Sequence, residues 1–155
     1  MFQDFFHNQV LVCSFFSWLS AQMTKYVIDG IRYRTWGAGN LLSSGGMPSS
    51  HTAAVVALTF AVGFQEGFGS AVFAVSAVFS LVVMSDAIGV RRETGRQGSV
   101  LNWMLDTVRD WLEEMQKKPE ELNVQDLKER VGHSPLEVLA GFIWGLVFAL
   151  LFRSA

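Results

Sequence analysis

Two histidines in this sequence lie where chemistry on an anion is feasible. His51 ends the run GGMPSSH at residues 45–51 and precedes a small-residue stretch that is typical of a helix. The N-terminus of a helix attracts anions because its first N–H groups have no partner within the helix. Glycines free the backbone before it, and Pro48 suits the first turn. The run therefore predicts an anion-binding helix start. The alternative is a capped helix with a surface histidine.

The second histidine, His133, has an acid four residues later. His133 and Glu137 can therefore meet on one face of a helix. A carboxylate beside an imidazole fixes its tautomer and raises its basicity. With two histidines present, one can attack a phosphate ester and the other can protonate the leaving oxygen. An ordinary surface pair of side chains is the alternative interpretation.

Cations in the same sequence could neutralise phosphoryl oxygens. Four of them are candidates: Lys25, Arg32, Arg91 and Arg92. Asp86 stands near the end of an apolar segment, where an unpaired charge is costly, and we expect it to pair with Arg91 or Arg92. Lys25 and Arg32 could instead be anchors at a membrane edge. Asp86, Glu137 and the two histidines could instead bind a divalent cation. The phosphate interpretation requires no metal or other cofactor.

The composition indicates the kind of protein that must position these groups. Half of the 155 residues are hydrophobic and 17% are charged, whereas soluble domains carry about 25% charged residues. The mean hydropathy is +0.30. The single cysteine, Cys13, excludes an intrachain disulfide. We expect one membrane-embedded domain over residues 1–155, with membrane lipids as partners and no nucleic acid.

Four apolar segments, near residues 10–28, 52–64, 70–88 and 136–152, each approach the length of about 20 residues that spans a bilayer. They are apolar on all faces, although buried helices of a soluble core are a competing interpretation. Apolar residues from Val100 to Met115 recur at steps of three and four, which predicts an amphipathic surface helix. A second short helix is predicted over residues 122–131. The predicted fold is an all-α membrane bundle of about four transmembrane helices plus the amphipathic helix.

The charges predict how this bundle is oriented. When the four segments are threaded through a bilayer, every Lys and Arg except Arg153 falls on the side that carries His51 and His133. The positive-inside rule makes that side cytoplasmic and places both termini on the opposite side of a plasma or inner membrane. Gly141 and Gly145 form a small-residue stripe for helix packing. That stripe fits contacts within the chain or a homo-oligomer.

Three strings, taken in order, resemble the motifs of the type 2 phosphatidic acid phosphatase superfamily, which includes the vanadium-dependent haloperoxidases. Lys25 and Arg32 match K-x6-R-P, with Tyr33 in place of the proline. The PSSH at residues 48–51 matches P-S-G-H, with Ser50 in place of the glycine.

The third motif, S-R-x5-H-x3-D, is matched only at its end. His133 and Glu137 stand for its histidine and acid, while Leu127 occupies the position of its arginine. The longer strings around these positions look like the divergent branch of the superfamily, and the resemblance covers almost the whole chain.

The resemblance implies a metal-independent phosphatase that forms a phosphohistidine and acts on a lipid phosphate or a related phosphomonoester. His133 is similar to the nucleophile, Glu137 to its orienting carboxylate and His51 to the general acid. The implied phosphate-binding residues are Lys25, Arg32 and Ser50. We add Ser49 as a phosphate-binding candidate, with Gly46 and Asp86 as supporting residues. We infer that Arg91 or Arg92 replaces the missing arginine. Two alternatives remain, a phospholipid-binding or transport protein without turnover and a scaffold without a pocket.

Overall fold

The computed structural model describes residues 7–34, 36–37, 45–115, 127 and 131–153, and all regular structure in these ranges is helical. It comprises five helices: α1 (Gln9–Tyr33), α2 (Ser50–Glu66), α3 (Ala71–Ile88), α4 (Val90–Glu114) and α5 (Pro135–Arg153). The all-α prediction is confirmed. Each predicted apolar segment corresponds to one helix, namely α1, α2, α3 and α5.

Helix α2 occupies the centre of the bundle and packs against α1, α3 and α5. At one end of the bundle, the Ser49 N–H donates to the Glu137 carbonyl over 3.0 Å, and the His133 N–H donates to the Ala87 carbonyl over 3.0 Å. The starts of α2 and α5 therefore lie beside the end of α3. Helices α2 and α5 thus run in the same direction and α3 runs opposite to them, as the threading of the sequence predicts.

Polar side chains join the helices inside the bundle. The Ser17 hydroxyl donates to the Ala53 carbonyl over 3.0 Å, and the Trp144 indole donates to the Ser20 hydroxyl over 3.0 Å. The Thr59 and Ser80 hydroxyls lie 2.7 Å apart. Hydrogen bonds of this kind and small residues hold helices together in lipid, where apolar burial supplies little driving force between them.

The outer surfaces of α3 and α5 are apolar and exposed. Val75 on α3 is 70% exposed and Leu136 on α5 is 72% exposed. Two helical stretches, Ala71–Glu114 and Pro135–Arg153, are long and apolar enough to cross a membrane. Helix α2, with 17 residues, is shorter and mostly surrounded by protein. The bundle thus has polar contacts inside and hydrocarbon-compatible surfaces outside.

Helix α4 is the predicted amphipathic helix, but it begins at Val90, immediately after Gly89, and not at Val100. The apolar periodicity does not reveal the first turns of this helix, because residues 91–99 are all polar or glycine. The second predicted helix, over residues 122–131, lies outside the described residues except for Leu127 and Val131, which are not helical.

The glycine stripe of α5 faces α2 in the same chain. A Cβ on Gly141 would stand 2.5 Å from the Ser49 carbonyl oxygen, and one on Gly145 would stand 2.5 Å from the Ala53 carbonyl oxygen. Only glycine permits this approach of the two backbones. The stripe is therefore used within the chain and gives no support to the predicted homo-oligomer.

Replacing Gly145 with alanine should destabilise the bundle, because the new methyl group would overlap the α2 backbone. We expect a loss of about 1–3 kcal/mol in the free energy of unfolding, the usual cost of overpacking. Thermal unfolding in detergent measures it. Gly69→Ala is the matched control, because a Cβ there meets nothing within 4 Å. Equal stability of the two variants would contradict the close packing of α5 on α2.

Candidate functional site

A cavity of about 260 Å³ opens at the bundle end where α2 and α5 begin. Its walls come from four parts of the chain: His51 of α2, then Val82, Val83, Asp86 and Ala87 of α3, then Arg91 of α4, and Gly132 and His133 before α5. Small-molecule pockets usually measure about 300–1,000 Å³, so this volume suits a small anion with part of an attached group. The structure thus brings the two predicted histidines to one cavity.

The His133 side chain is held by Glu137. Its Nδ1 lies 3.1 Å from Glu137 Oε2, and the same oxygen accepts the Ser134 N–H over 3.0 Å. The Glu137 N–H in turn donates to the Ser134 hydroxyl over 3.3 Å. This reciprocal pair is a capping box at the start of α5. The cap of the helix therefore also fixes the carboxylate that orients the histidine.

The backbone around His133 is held against the junction of α3 and α4. Gly132 has φ +86°, and a Cβ there would overlap the backbone of Arg91 and Arg92. Its neighbour His133 donates its N–H to Ala87. A glycine is required at residue 132 both by its conformation and by this approach.

Burial is the main influence on the protonation of His133, which is 6% exposed. Burial lowers the pKa of His133 below its usual value of 6.5, and the charge of Lys25 lowers this pKa further. Glu137, through its hydrogen bond and charge, and a hydrogen bond with the Gly46 backbone both act to raise the pKa. Since burial dominates, the ring is mostly neutral near pH 7 and one ring nitrogen keeps a lone pair. A neutral imidazole held by a carboxylate is suited to nucleophilic attack.

The second histidine, His51, is more accessible. It is exposed on the first turn of α2. Arg91, His133 and Lys25 all lie within electrostatic range of its ring. This position gives His51 access to both solvent and the cavity, as a proton donor requires.

The turn before α2 differs in detail from the prediction. Ser49 is the N-cap, so Pro48 precedes the cap and does not occupy the first turn, and the Met47–Pro48 bond is cis. The buried Ser49 hydroxyl accepts the Thr52 hydroxyl over 2.9 Å. Ser50 is 1% exposed, and its hydroxyl has no hydrogen-bond partner among the described residues. Of the two serines, Ser50 is therefore the one with an unused hydroxyl.

The two cations of the first motif are separated. Lys25 is 2% exposed and lies within electrostatic range of both histidines. Arg32 is exposed, and its guanidinium stands 5.5 Å from the centre of the Tyr33 ring. Lys25 thus lies close to both histidines, but neither Lys25 nor Arg32 is among the residues that line the cavity.

The predicted partner of Asp86 is Arg91. Arg91 Nε donates to Asp86 Oδ2 over 2.6 Å, and both side chains line the cavity. Arg92 is exposed and does not line it. The ion pair is confirmed, and Arg91, not Arg92, is the arginine that lines the cavity.

Sequence reasoning missed Asp29 and Gly132. Asp29 Oδ2 would be 2.8 Å from a Cβ on Gly46, which has φ +91°. An acid four residues after Lys25 in an apolar segment was the available signal. Gly132 carried no signal for the site, since the need for it arises from its positive φ and from the approach of the α3–α4 junction.

Among the residues that the structure describes, no three His, Cys, Asp or Glu side chains are grouped so that they could hold a metal ion.

Comparison with known proteins relates this site to a family. No solved structure is significantly similar. An uncharacterized membrane protein of Bacillus subtilis (strain 168), YuiD, is 38% identical over 146 residues, which cover 92% of each chain. Residues 6–148 match the divergent PAP2 family. These residues include the helices and side chains of the site described above, and the chain belongs to the divergent PAP2 family.

Proposed function

We propose that this chain is an integral-membrane phosphatase that hydrolyses a lipid phosphate or a related phosphomonoester through a phosphohistidine. The observation that carries the proposal is the cavity that both His51 and His133 line together with Arg91. The Glu137 contact to His133 and the buried charge of Lys25 support it. Each group has a role in phosphoryl transfer by in-line displacement.

In the first step, a neutral ring nitrogen of His133 attacks the phosphorus. A nitrogen–phosphorus bond forms, and the bond between phosphorus and the ester oxygen breaks. Glu137 stabilises the positive charge that develops on the imidazole. His51 gives its proton to the leaving oxygen, which departs as an alcohol. Arg91 and Lys25 neutralise the phosphoryl oxygens.

In the second step, water attacks the phosphohistidine. His51, now unprotonated, takes a proton from the water as the oxygen–phosphorus bond forms. The nitrogen–phosphorus bond breaks, His133 is regenerated and inorganic phosphate leaves. The same group acts as acid and then as base, as microscopic reversibility requires.

The surroundings of the cavity favour a lipid as the substrate. Val82 lines the cavity and is 61% exposed on the outer surface of α3. Its exposed neighbours on α3 are also apolar, including Val78 and Phe79. A phosphate in the cavity would thus have its hydrocarbon chain beside an apolar surface.

The charge distribution also supports an orientation for this site. The described basic residues other than Arg153 lie near the histidine end of the bundle or on α4, which follows it. We therefore propose that the cavity faces the cytoplasm and that both termini lie on the opposite side.

Purified protein in nanodiscs should release phosphate from phosphatidic acid or a polyprenyl phosphate. His133→Ala and His51→Ala should each reduce kcat/KM by about 100-fold or more, because each removes an essential proton-transfer or nucleophilic group. His7→Ala is the matched control, since His7 lies before α1 and does not line the cavity. Equal activity of wild type and both cavity variants would contradict the proposal.

A second function, binding without turnover, is favoured by one observation. Arg32, which the resemblance implies as a phosphate clamp, is not among the residues lining the cavity. This function predicts saturable binding of orthovanadate or phosphatidic acid with no phosphate release. Failure of both compounds to bind would eliminate this second function. Phosphate release would also eliminate it and would support the phosphatase.

The pH dependence tests the role assigned to His133. A nucleophilic His133 must be neutral, so kcat/KM should fall as pH drops through its pKa, which burial holds below 6.5. Glu137→Gln removes two influences that raise the pKa, so the acid side of the profile should move to lower pH while kcat falls. The measurement is kcat/KM against pH on one substrate.

Because both proteins are measured on the same substrate, ionisation of the substrate phosphate affects both pH profiles equally and does not contribute to the difference between them. Glu66→Gln, at the far end of α2, is the control and should leave the profile unchanged. An acid side that stays in place or moves to higher pH in Glu137→Gln would show that Glu137 does not act on His133 as the geometry indicates.

A further inference from the structure

Lys25 is a charged group in an enclosed place. The residue is 2% exposed, and a buried ammonium is costly unless acids or other acceptors surround it. Two carboxylates lie within electrostatic range, those of Asp29 and Glu137, and Asp29 has the larger effect on the Lys25 charge. The identity of its main counter-ion therefore decides what Lys25 can do in the site.

The Glu137 carboxylate already forms hydrogen bonds with other groups. Its Oε2 accepts from both His133 Nδ1 and the Ser134 N–H. If Lys25 drew this carboxylate toward itself, the orientation of His133 would be weakened. A separate acid for Lys25 keeps the two functions apart.

Asp29 is placed to be that acid. It follows Lys25 by four residues on α1, so both side chains lie on one face of the helix. Both also lie against Gly46, whose missing Cβ would stand 2.8 Å from Asp29 Oδ2 and 3.2 Å from Lys25 Cγ. The backbone of Gly46 is in turn hydrogen-bonded to His133. Asp29, Lys25 and His133 therefore meet at the turn that leads into α2.

We propose that Asp29 is a positioning residue, which pairs with Lys25 and holds its ammonium charged beside the two histidines, so that Glu137 remains with His133. This inference rests on the proposed function, because it assigns Lys25 to the phosphate. It concerns anion binding, however, and can be tested without turnover.

The test is a double-mutant cycle on orthovanadate binding, measured by calorimetry with protein in nanodiscs. Asp29→Asn and Lys25→Met should each weaken binding about 10-fold or more, the effect of losing a charge-assisted contact. If Asp29 acts through Lys25, Asp29→Asn should have no further effect in the Lys25→Met background. Glu66→Gln is the control acid and should bind vanadate as the wild type does.

Independent, additive effects of the two substitutions, or an Asp29→Asn variant that binds vanadate as tightly as wild type, would overturn the inference. If Asp29→Asn cannot be purified, the folding of the double variant, Asp29→Asn with Lys25→Met, tests the proposal instead. A double variant that folds supports the pair, because both charges have then been removed together. A double variant that also fails to fold assigns Asp29 a separate structural role and overturns the proposal.

Phosphate release separates this inference from the proposed function. A wild type that hydrolyses no phosphomonoester, but binds vanadate with the coupling described, would refute the phosphatase and retain the role of Asp29. A wild type that hydrolyses lipid phosphate, with no coupling between Asp29 and Lys25, would support the phosphatase and refute the role of Asp29.

Discussion

The hydrogen bond from the Ser49 N–H to the Glu137 carbonyl joins the two helix starts on which the site depends. It fixes the first turn of α2, which carries His51, beside the first turn of α5, which holds His133 through Glu137. Gly141 allows this approach because it adds no Cβ against the Ser49 carbonyl. The relative position of the two histidines is therefore set by backbone contacts and glycine packing, and not by the histidines themselves.

At the same end of the bundle, His133 and Lys25 are kept away from water. His133 is 6% exposed and Lys25 is 2% exposed. Electrostatic interactions are stronger in such surroundings, and unpaired polar groups are correspondingly costly. Each buried charge thus needs a specific partner, which explains why acids from α1 and α5 converge on one small region. The Ser50 hydroxyl is an exception, because it is buried and has no hydrogen-bond partner in the part of the chain that the structure describes.

The helices could be predicted because long apolar runs have few alternatives in a membrane protein, and α1, α2, α3 and α5 all appear where such runs occur. The histidine pair could be predicted because residue type and spacing encode its chemistry. The choice of Arg91 over Arg92 could not, since it depends on the direction of the chain after Gly89. Nor could the position of Arg32, because one motif does not reveal which side of a helix faces the cavity. Asp29 did carry a signal, as an acid four residues after Lys25 in an apolar segment, but the burial of Lys25 that gives this acid its importance could not be read from the sequence.

Under the proposed function, the cavity wall formed by Val82 has a consequence for how a lipid substrate would reach the site. Val82 belongs to a helical stretch that can cross a membrane, and most of its surface is exposed. A lipid that reaches His133 past this residue diffuses in two dimensions and never leaves the bilayer. For such a substrate, the quantity that sets occupancy is its mole fraction among the surrounding lipids. Adding neutral lipid to the membrane would then lower the mole fraction of substrate and the occupancy of the cavity, even if the total amount of substrate stayed the same.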